Sequence, residues 1–199
     1  MEDPFYDLAD VVVCDPVTSN RAATRSALHT LGCRRIEIVA DLNHLRDALD
    51  EQHPDLALCD ISAGGQELCK LIQDVRQDSD GYNPFVAFII TAWAMNADLL
   101  AQISNCGADD LLLRPFSTAL LGQRIESLVD RRKRFVVSAD YVGPERREVH
   151  RSASNVVLID APNSIRIKAL ARAKSQDIAG SWDAELQSGC MKLNMEKAR

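Results

Sequence analysis

The sequence alternates five times between an apolar run with strand character and a run whose apolar residues recur at helical spacing, from about residue 9 to residue 134. The apolar runs are nearly continuous, which is typical of strands that are covered by helices on both faces of a sheet. Strands that alternate with helices in this way form a parallel sheet. The strand segments read LADVVVCD, RRIEIVAD, DLALCD, FVAFIIT and DLLLR. The sequence therefore predicts an α/β protein with a five-stranded, parallel, doubly wound sheet.

Three polar side chains stand where predicted strands end. Asp15 follows the first strand, Asp60 ends the third and Thr91 ends the fourth. Ligands of doubly wound sheets bind outside the carboxyl ends of the strands, so we expect these side chains to meet at one edge of the sheet. A carboxylate at the tip of a buried strand is costly unless a charged group meets it. Asp60 therefore either caps the helix that begins near Gly65 or belongs to a functional site, and both alternatives are open at this point.

Charge is unevenly distributed along the chain. Residues 1–130 carry 21 acidic and 9 basic side chains, whereas the remaining residues carry a net positive charge within a total of −6. An acidic domain followed by a basic segment is not the pattern of a nucleic-acid-binding domain. We therefore predict a domain at residues 1–134 followed by a C-terminal extension at residues 135–199, and we expect no nucleic-acid partner.

The sequence contains no apolar run of the ~18 residues that a membrane span requires, and its acidic start, MEDPFYDL, is unlike a signal peptide. The six cysteines form no C-x-x-C pair, which is typical of reduced, buried thiols. We therefore expect a cytoplasmic protein without a membrane partner. Cys14 and Cys59 each precede one of the strand-end aspartates, so a thiolate metal site or redox pair is an alternative, although paired strand cysteines are far more often core residues.

The extension departs from the strand–helix pattern. Its first segment, FVVSADYVGPERRE, is expected to form an extended linker or arm with a Gly-Pro turn. A short strand, VVLID, and a basic helix at residues 164–174 with an Asn/Ser cap are expected next, and the last residues are expected to be disordered. The arm and helix either pack back on the acidic domain or dock onto a partner and are ordered only there.

Residues 9–133 resemble the receiver domain of response regulators, the phosphorylatable module of two-component signalling. The resemblance rests on the segments VVVCD, PDLALCD, GGQELCKLI, FIITAWA and CGADDLLLRPF. It implies a flavodoxin-like sheet with the strand order 2-1-3-4-5. It also implies a single receiver followed by an extension, because no pair of helices of the helix-turn-helix type is apparent after the receiver.

The resemblance assigns a role to each residue of the predicted site. Asp60 is implied to be the phosphoacceptor, and Mg²⁺ is implied to bind Asp15, Asp60 and the backbone carbonyl of Ser62. Magnesium suits such a site because it takes oxygen ligands and often uses only one or two carboxylates. Thr91 is implied to hydrogen-bond a phosphoryl oxygen, and Arg114 is implied to supply positive charge.

The chain also departs from the receiver pattern. Receivers usually carry two adjacent acids after the first strand, whereas here Cys14 precedes Asp15. Arg114 replaces a lysine with a wider planar fork, which either reaches a phosphoryl oxygen or forms a standing salt bridge with the acceptor. The loop ISAGG is shorter than usual, and Leu111 stands in place of an aromatic switch residue. Trp93 either rims the pocket or packs on the fourth helix.

The sequence therefore predicts a bacterial response regulator that receives a phosphoryl group from a histidine kinase or phosphotransfer protein. It is expected to signal through contacts with a downstream protein that the sequence does not name, and a homodimer is left open. We do not expect an enzyme, because no histidine lies in the predicted pocket and no P-loop is apparent. The alternative is a pseudo-receiver, a phosphorylation-independent protein-binding module, which Cys14 and Arg114 favour and Asp15, Asp60 and Thr91 oppose.

Overall fold

A parallel sheet of five strands forms the centre of the molecule. The computed structural model describes residues 6–77, 82–138, 141–146, 157–171 and 178–198. The strands are β1 (Asp10–Cys14), β2 (Arg35–Val39), β3 (Leu56–Asp60), β4 (Ala87–Ala92) and β5 (Asp110–Leu113). They lie in the order β2-β1-β3-β4-β5, and every neighbouring pair is parallel. The predicted fold class and strand order are confirmed.

Helices cover both faces of this sheet. They are α1 (Thr18–Thr30), α2 (Leu42–Glu51), α3 (Gln66–Arg76), α4 (Ala97–Asn105) and α5 (Thr118–Asp130). Within β1, Val11 and Val13 join a core cluster with α1 and α5, whereas Val12 and Cys14 join a second cluster with α2, α3 and α4. Successive side chains of a strand point to opposite faces. The unbroken apolar runs are therefore needed because both faces of the sheet are buried.

Polar side chains fix where three of these helices begin. Asp41, Asn96 and Ser117 precede α2, α4 and α5, and each accepts a hydrogen bond from a backbone amide of the following turn. Such caps satisfy amide groups that the helix itself leaves without partners. They also set the length of the loops that follow the strands, which is where the predicted site lies.

The extension contains a small antiparallel sheet, and the expected extended arm supplies two of its strands. Its strands are β6 (Phe135–Val137), β7 (Val142–Pro144) and β8 (Val157–Ile159), in the order β7-β6-β8. The expected strand VVLID is confirmed as β8. The Gly-Pro pair expected in a turn lies inside β7 instead. The apolar residues Phe135, Val137 and Val142 explain the difference, because they pack with Phe85 of the first domain in a third core cluster.

Two helices complete the extension, α6 (Ser164–Ala171) and α7 (Ile178–Lys197). The basic helix expected at residues 164–174 is found as α6, and residues 172–174 lie outside the described residues. Asn163 caps it by accepting a hydrogen bond from the amide of Arg166 at 3.2 Å. The expectation of disorder at the end of the chain is wrong for α7, because Leu193 is fully buried in the third cluster. Among the described residues, no helix is both long and apolar enough to cross a membrane.

The extension packs against the amino ends of the strands, opposite the edge where the predicted site lies. Lys168 of α6 places its Nζ 2.6 Å from Asp10 Oδ2 and 2.6 Å from Asp55 Oδ2, at the starts of β1 and β3. Asp55 is fully buried. Of the two alternatives for the extension, the described segments show packing back on the acidic domain, through opposite charges.

A buried arginine joins α3, β5 and the extension. Arg76 has no exposed surface, and its guanidinium donates to the carbonyl of Gly107 at 2.9 Å and to Asp109 Oδ2 at 2.8 Å. The same group lies 5.0 Å from the centre of the Phe135 ring. Arg132, just before β6, places a guanidinium nitrogen 3.6 Å from the other oxygen of Asp109. Asp109 therefore faces two cations, Arg76 from α3 and Arg132 from the segment that leads into the extension.

Candidate functional site

The structure brings the sequence-predicted residues together at the carboxyl edge of the sheet. Asp60 and Thr91 are direct partners in the pairing of β3 with β4. Asp15 and Arg114 are the residues that follow the last residues of β1 and β5. Because parallel strands all end at the same edge, residues that are far apart in the chain lie within hydrogen-bonding distance.

Asp60 is fully buried at this edge, and its two carboxylate oxygens have different partners. Oδ1 accepts hydrogen bonds from the amide of Ser62 at 3.0 Å and from its Oγ at 2.6 Å. Oδ2 accepts one from Thr91 Oγ1 at 2.8 Å. Asp60 therefore caps the 3-10 turn Ile61–Ala63 and belongs to a polar cluster. It does not cap α3, whose N-cap residue is Gly65, so that alternative is wrong and the functional site stays a prediction.

Hydrogen bonds hold the Asp60 carboxyl in its ionised form. Burial raises its pKa, but the hydrogen bonds from Ser62, Thr91 and Arg114 together outweigh burial and leave the pKa below its ordinary value. The predicted role of the Ser62 carbonyl stays a prediction, since the contacts of Ser62 with Asp60 run through its amide and its hydroxyl.

Arg114 lies between the two carboxylates and contacts both. Its Nε donates to Asp60 Oδ2 at 3.0 Å and to Thr91 Oγ1 at 3.3 Å. Its Nη2 donates to Asp15 Oδ2 at 3.0 Å and to Thr24 Oγ1 at 3.3 Å. The Arg114 side chain is only 7% exposed. The standing salt bridge that the sequence left open is therefore present, and it includes Asp15 as well as Asp60.

Thr24 is a member of this cluster that sequence reasoning missed. It lies on α1 and is 1% exposed, although most of that helix's polar residues face solvent. The only signal in the sequence was a threonine on the same side of α1 as the apolar Leu28, one helical turn away. That spacing identifies a buried position, but it does not say what the hydroxyl contacts.

Asp15 and Cys14 point to opposite sides of the sheet edge. Asp15 Oδ1 accepts a hydrogen bond from the amide of Val17 at 2.8 Å, so this carboxylate also organises the loop that leads into α1. Cys14 lies in the core cluster with Cys59, and its Sγ lies 3.6 Å from the carbonyl of Asp41. Burial raises the pKa of Cys14 to about 12 and raises that of Cys59 well above its ordinary value. Both thiols are therefore protonated core groups, which speaks against a thiolate metal site.

Comparison with known protein families identifies this arrangement. Residues 11–126, more than half of the chain, match the family model of the response regulator receiver domain. The chain belongs to this family. It is 29% identical over 124 residues to the two-component response regulator PhoP of Pseudomonas aeruginosa, in a match that covers 61% of this chain and 52% of that protein. The chain therefore matches about half the length of this curated relative.

Solved receiver structures share the fold. The response regulator signal receiver domain of Bermanella marisrubri is 23% identical, with a TM-score of 0.54 over 61% of this chain and 98% of that chain. A CheY-like receiver protein of Methanospirillum hungatei is 21% identical, with a TM-score of 0.54 over 60% and 92% of the two chains. These likenesses establish the receiver fold of the first domain.

Receiver domains typically bind Mg²⁺, and the residues of this receiver can be tested against such an ion. Asp15 and Asp60 provide oxygen donors of the kind that Mg²⁺ prefers. However, each of their four carboxylate oxygens already accepts a hydrogen bond, and a guanidinium joins the two groups. Within the part of the chain that the structure describes, no group of three or more His, Cys, Asp or Glu side chains could hold a metal ion. This arrangement does not fit a divalent cation between the two carboxylates.

The two hydrophobic residues singled out beside the site are placed differently. Leu111, which stands in place of an aromatic switch residue, is partly buried against the core cluster of α2, α3 and α4. Trp93 follows Thr91 by two residues and is 61% exposed, and Met95 and Leu100 nearby are also exposed. The surface next to the site therefore includes exposed apolar side chains, of which Trp93 is the largest.

Proposed function

We propose that this receiver accepts a phosphoryl group on Asp60 from a histidine kinase or a phosphotransfer protein, and that it signals through contacts with another protein. The observation that carries the proposal is the position of Asp60 at the carboxyl edge of β3, with Thr91 and Arg114 donating to the same carboxylate oxygen. A buried carboxylate that is kept ionised can act as a nucleophile. Donors that are already aimed at it can hold the oxygens of an incoming anion.

The proposed transfer is a displacement at phosphorus. A carboxylate oxygen of Asp60 forms the new bond to phosphorus, and the bond from phosphorus to the imidazole nitrogen of the donor breaks. The leaving nitrogen keeps the electron pair and takes up a proton. Arg114 and Thr91 stabilise the negative charge on the phosphoryl oxygens during this step, which is the main task of a protein in phosphoryl transfer.

A protein partner is supported by the surface around the site. Trp93, Met95 and Leu100 are exposed apolar side chains on the β4–α4 loop and α4, close to Thr91. Aromatic residues and methionine are enriched at protein interfaces. The downstream partner is expected to be a protein or a second copy of this chain, and sedimentation velocity before and after phosphorylation would distinguish the two.

The second candidate is a pseudo-receiver that binds a partner without being phosphorylated. Two observations favour it. The charge of Arg114 is already neutralised by both carboxylates, and a core cysteine, Cys14, stands where receivers usually carry a second acid. In this case the cluster would have a purely structural role, holding the loops of the carboxyl edge in one arrangement.

Intact-mass analysis of the full chain with a small-molecule phosphodonor, such as phosphoramidate, separates the two candidates. We expect the mass to increase by one phosphoryl group in the natural protein and in the control Asp98→Asn, where an exposed acid of α4 is replaced. We expect no increase in Asp60→Asn. If the natural protein gains no phosphoryl group from this donor or from a panel of phosphorylated histidine kinases, the pseudo-receiver function replaces the proposed one.

A further inference from the structure

Arg114 occupies the position between Asp15 and Asp60 that a bridging cation would take. Two nitrogens of one guanidinium serve the two carboxylates separately, with Nε 3.0 Å from Asp60 and Nη2 3.0 Å from Asp15. A lysine would have to serve both groups from one nitrogen, whereas the wider planar fork of arginine serves each carboxylate from a separate nitrogen. The replacement of lysine by arginine therefore changes what this position can do.

We infer that the guanidinium of Arg114 takes the place of the divalent cation in this receiver, so that the site is charge-compensated without a metal ion. The inference rests on the proposed function for the identity of the site, but it does not require that Asp60 be phosphorylated. It goes beyond that function because it assigns the counter-charge of the site to a side chain of the protein itself.

Electrostatics support this assignment. Asp15 and Asp60 are both 1% exposed at their side chains, and two buried carboxylates repel each other unless positive charge lies between them. Arg114 supplies this charge through charge-assisted hydrogen bonds, which are about twice as strong as neutral ones. A divalent cation at the same place would have to displace a guanidinium nitrogen and would then stand beside a positive charge.

The other oxygens of Asp15 and Asp60 are not free to serve as ligands of a metal ion. Magnesium demands near-octahedral geometry with oxygen ligands. The residue before Asp15 is Cys14, whose thiol lies in the core. Oδ1 of Asp15 accepts from the amide of Val17, and Oδ1 of Asp60 accepts from Ser62. The oxygens not bound to Arg114 are thus engaged in holding the loops that follow β1 and β3.

Contacts on every side hold Arg114 in place. Thr24 of α1 and Thr91 of β4 accept hydrogen bonds from its guanidinium. The ring of Phe116 lies 4.9 Å from the guanidinium carbon, within the range of a cation–π contact. Swinging this side chain out to admit a metal ion would break these contacts together, so the bridge is a standing part of the fold.

Titration of the full, unphosphorylated chain with MgCl₂ by isothermal calorimetry tests the inference. We expect no saturable binding by the natural protein and the same Tm in MgCl₂ and in EDTA. In Arg114→Lys, Asp15 loses its guanidinium partner, so we expect magnesium binding to appear, at least about tenfold tighter than in the natural protein, a difference of ~1.4 kcal/mol. Arg124→Lys is the matched control, because Arg124 contacts Asp110 at the opposite edge and should leave magnesium binding absent.

Saturable magnesium binding by the natural protein that is lost in Asp15→Asn would overturn the inference. So would a failure of Arg114→Lys to bind magnesium, because something other than the guanidinium would then exclude the ion. If Arg114→Lys does not fold, the Tm of Asp60→Asn decides. Removing one acid leaves a buried guanidinium short of a partner, so we expect the Tm to fall, by roughly 5 °C or more. A rise in Tm would mean that the two acids repel each other without a bridging charge, and the inference would be wrong.

The phosphorylation experiment separates this inference from the proposed function. A phosphoryl adduct on Asp60 that forms equally in MgCl₂ and in EDTA supports both. An adduct that requires magnesium supports the proposed function and overturns the metal-free site. The absence of any adduct overturns the proposed function alone, and the calorimetric titration still decides whether Arg114 replaces the cation.

Discussion

Replacing Lys168 by Met removes the cation that joins the extension to the amino ends of β1 and β3. The substitution keeps most of the apolar stem and deletes the ammonium, whose Nζ lies 2.6 Å from carboxylate oxygens of both Asp10 and Asp55. Among the described residues, Asp55 then keeps the amide of Asp10 as its donor, at 2.8 Å, and stays buried. We therefore expect the variant to be less stable than the natural protein.

The size of the effect follows from burial. Removing one partner of a fully buried ion pair costs about 3–5 kcal/mol. Here the Lys168 side chain is 15% exposed and that of Asp10 is 31% exposed, whereas that of Asp55 is 1% exposed. Partial solvent access and the remaining amide donor reduce the expected loss to about 2–3 kcal/mol. For a chain of this length, the Tm should fall by about 4–12 °C.

Urea denaturation at neutral pH measures this loss, and Lys192→Met is the matched control because Lys192 is exposed on α7. Burial lowers the pKa of Lys168, but the charges of Asp55 and Asp10 and their hydrogen bonds outweigh burial and leave it raised. The stabilisation is therefore fully present below the ordinary lysine pKa of ~10.4 and is lost as the pH rises through the raised value. A loss below about 0.5 kcal/mol would show that α6 does not depend on this contact and would refute the reasoning.

Three further substitutions or titrations test other parts of the structure. Gly107 has a φ of +89°, and an added Cβ would lie 3.1 Å from the carbonyl of Val142, whereas Gly65 has a φ of +55° and open space around it. Urea denaturation should therefore show that Gly65→Ala lowers the free energy of unfolding by about 1–2 kcal/mol, through backbone strain alone, and that Gly107→Ala lowers it by more. Equal losses would contradict the close contact of the added Cβ with the carbonyl of Val142. The neighbouring Cys106 thiol and the side-chain amide of Gln102, whose Nε2 lies 3.4 Å from Cys69 Sγ, lower the pKa of Cys69 below its ordinary value. Its alkylation by iodoacetamide, followed by peptide mass spectrometry, should therefore level off at a lower pH than that of free cysteine, and a rate that rises over the same pH range as free cysteine would contradict this. Because the pKa of Asp60 is lowered, the stabilisation that its ionised form provides is present above its ordinary pKa of ~3.9 and is lost as the pH falls through the lowered value. The Tm difference between the natural protein and Asp60→Asn should therefore shrink on acidification. A Tm difference that stays constant would contradict the lowered pKa.

The sequence alone determined the receiver fold and the place of the site. Apolar runs that bury both faces of a strand are local patterns, and they require a doubly wound sheet wherever they alternate with helices. Because parallel strands end at one edge, the positions of Asp15, Asp60 and Thr91 in the chain were sufficient to predict that they meet. Arg114 was assigned to the site by the resemblance to receivers. The capping of α6 by Asn163 was equally local, since it depends on a few neighbouring residues.

Only the tertiary structure decided how the charges are paired. The sequence left open whether Arg114 contacts one acid or reaches a phosphoryl oxygen, and the bridge to Asp15 spans 99 residues of chain. Lys168 meets Asp55 across 113 residues. Such pairs depend on which surfaces the folded chain brings into contact, and a single sequence does not show that. The pairing of the extension's strands into a sheet and its last helix, α7, were missed for the same reason. Its short strands and α7 carry weak local patterns, and they are stabilised by the buried surface that they share with the receiver around Phe85 and Phe135.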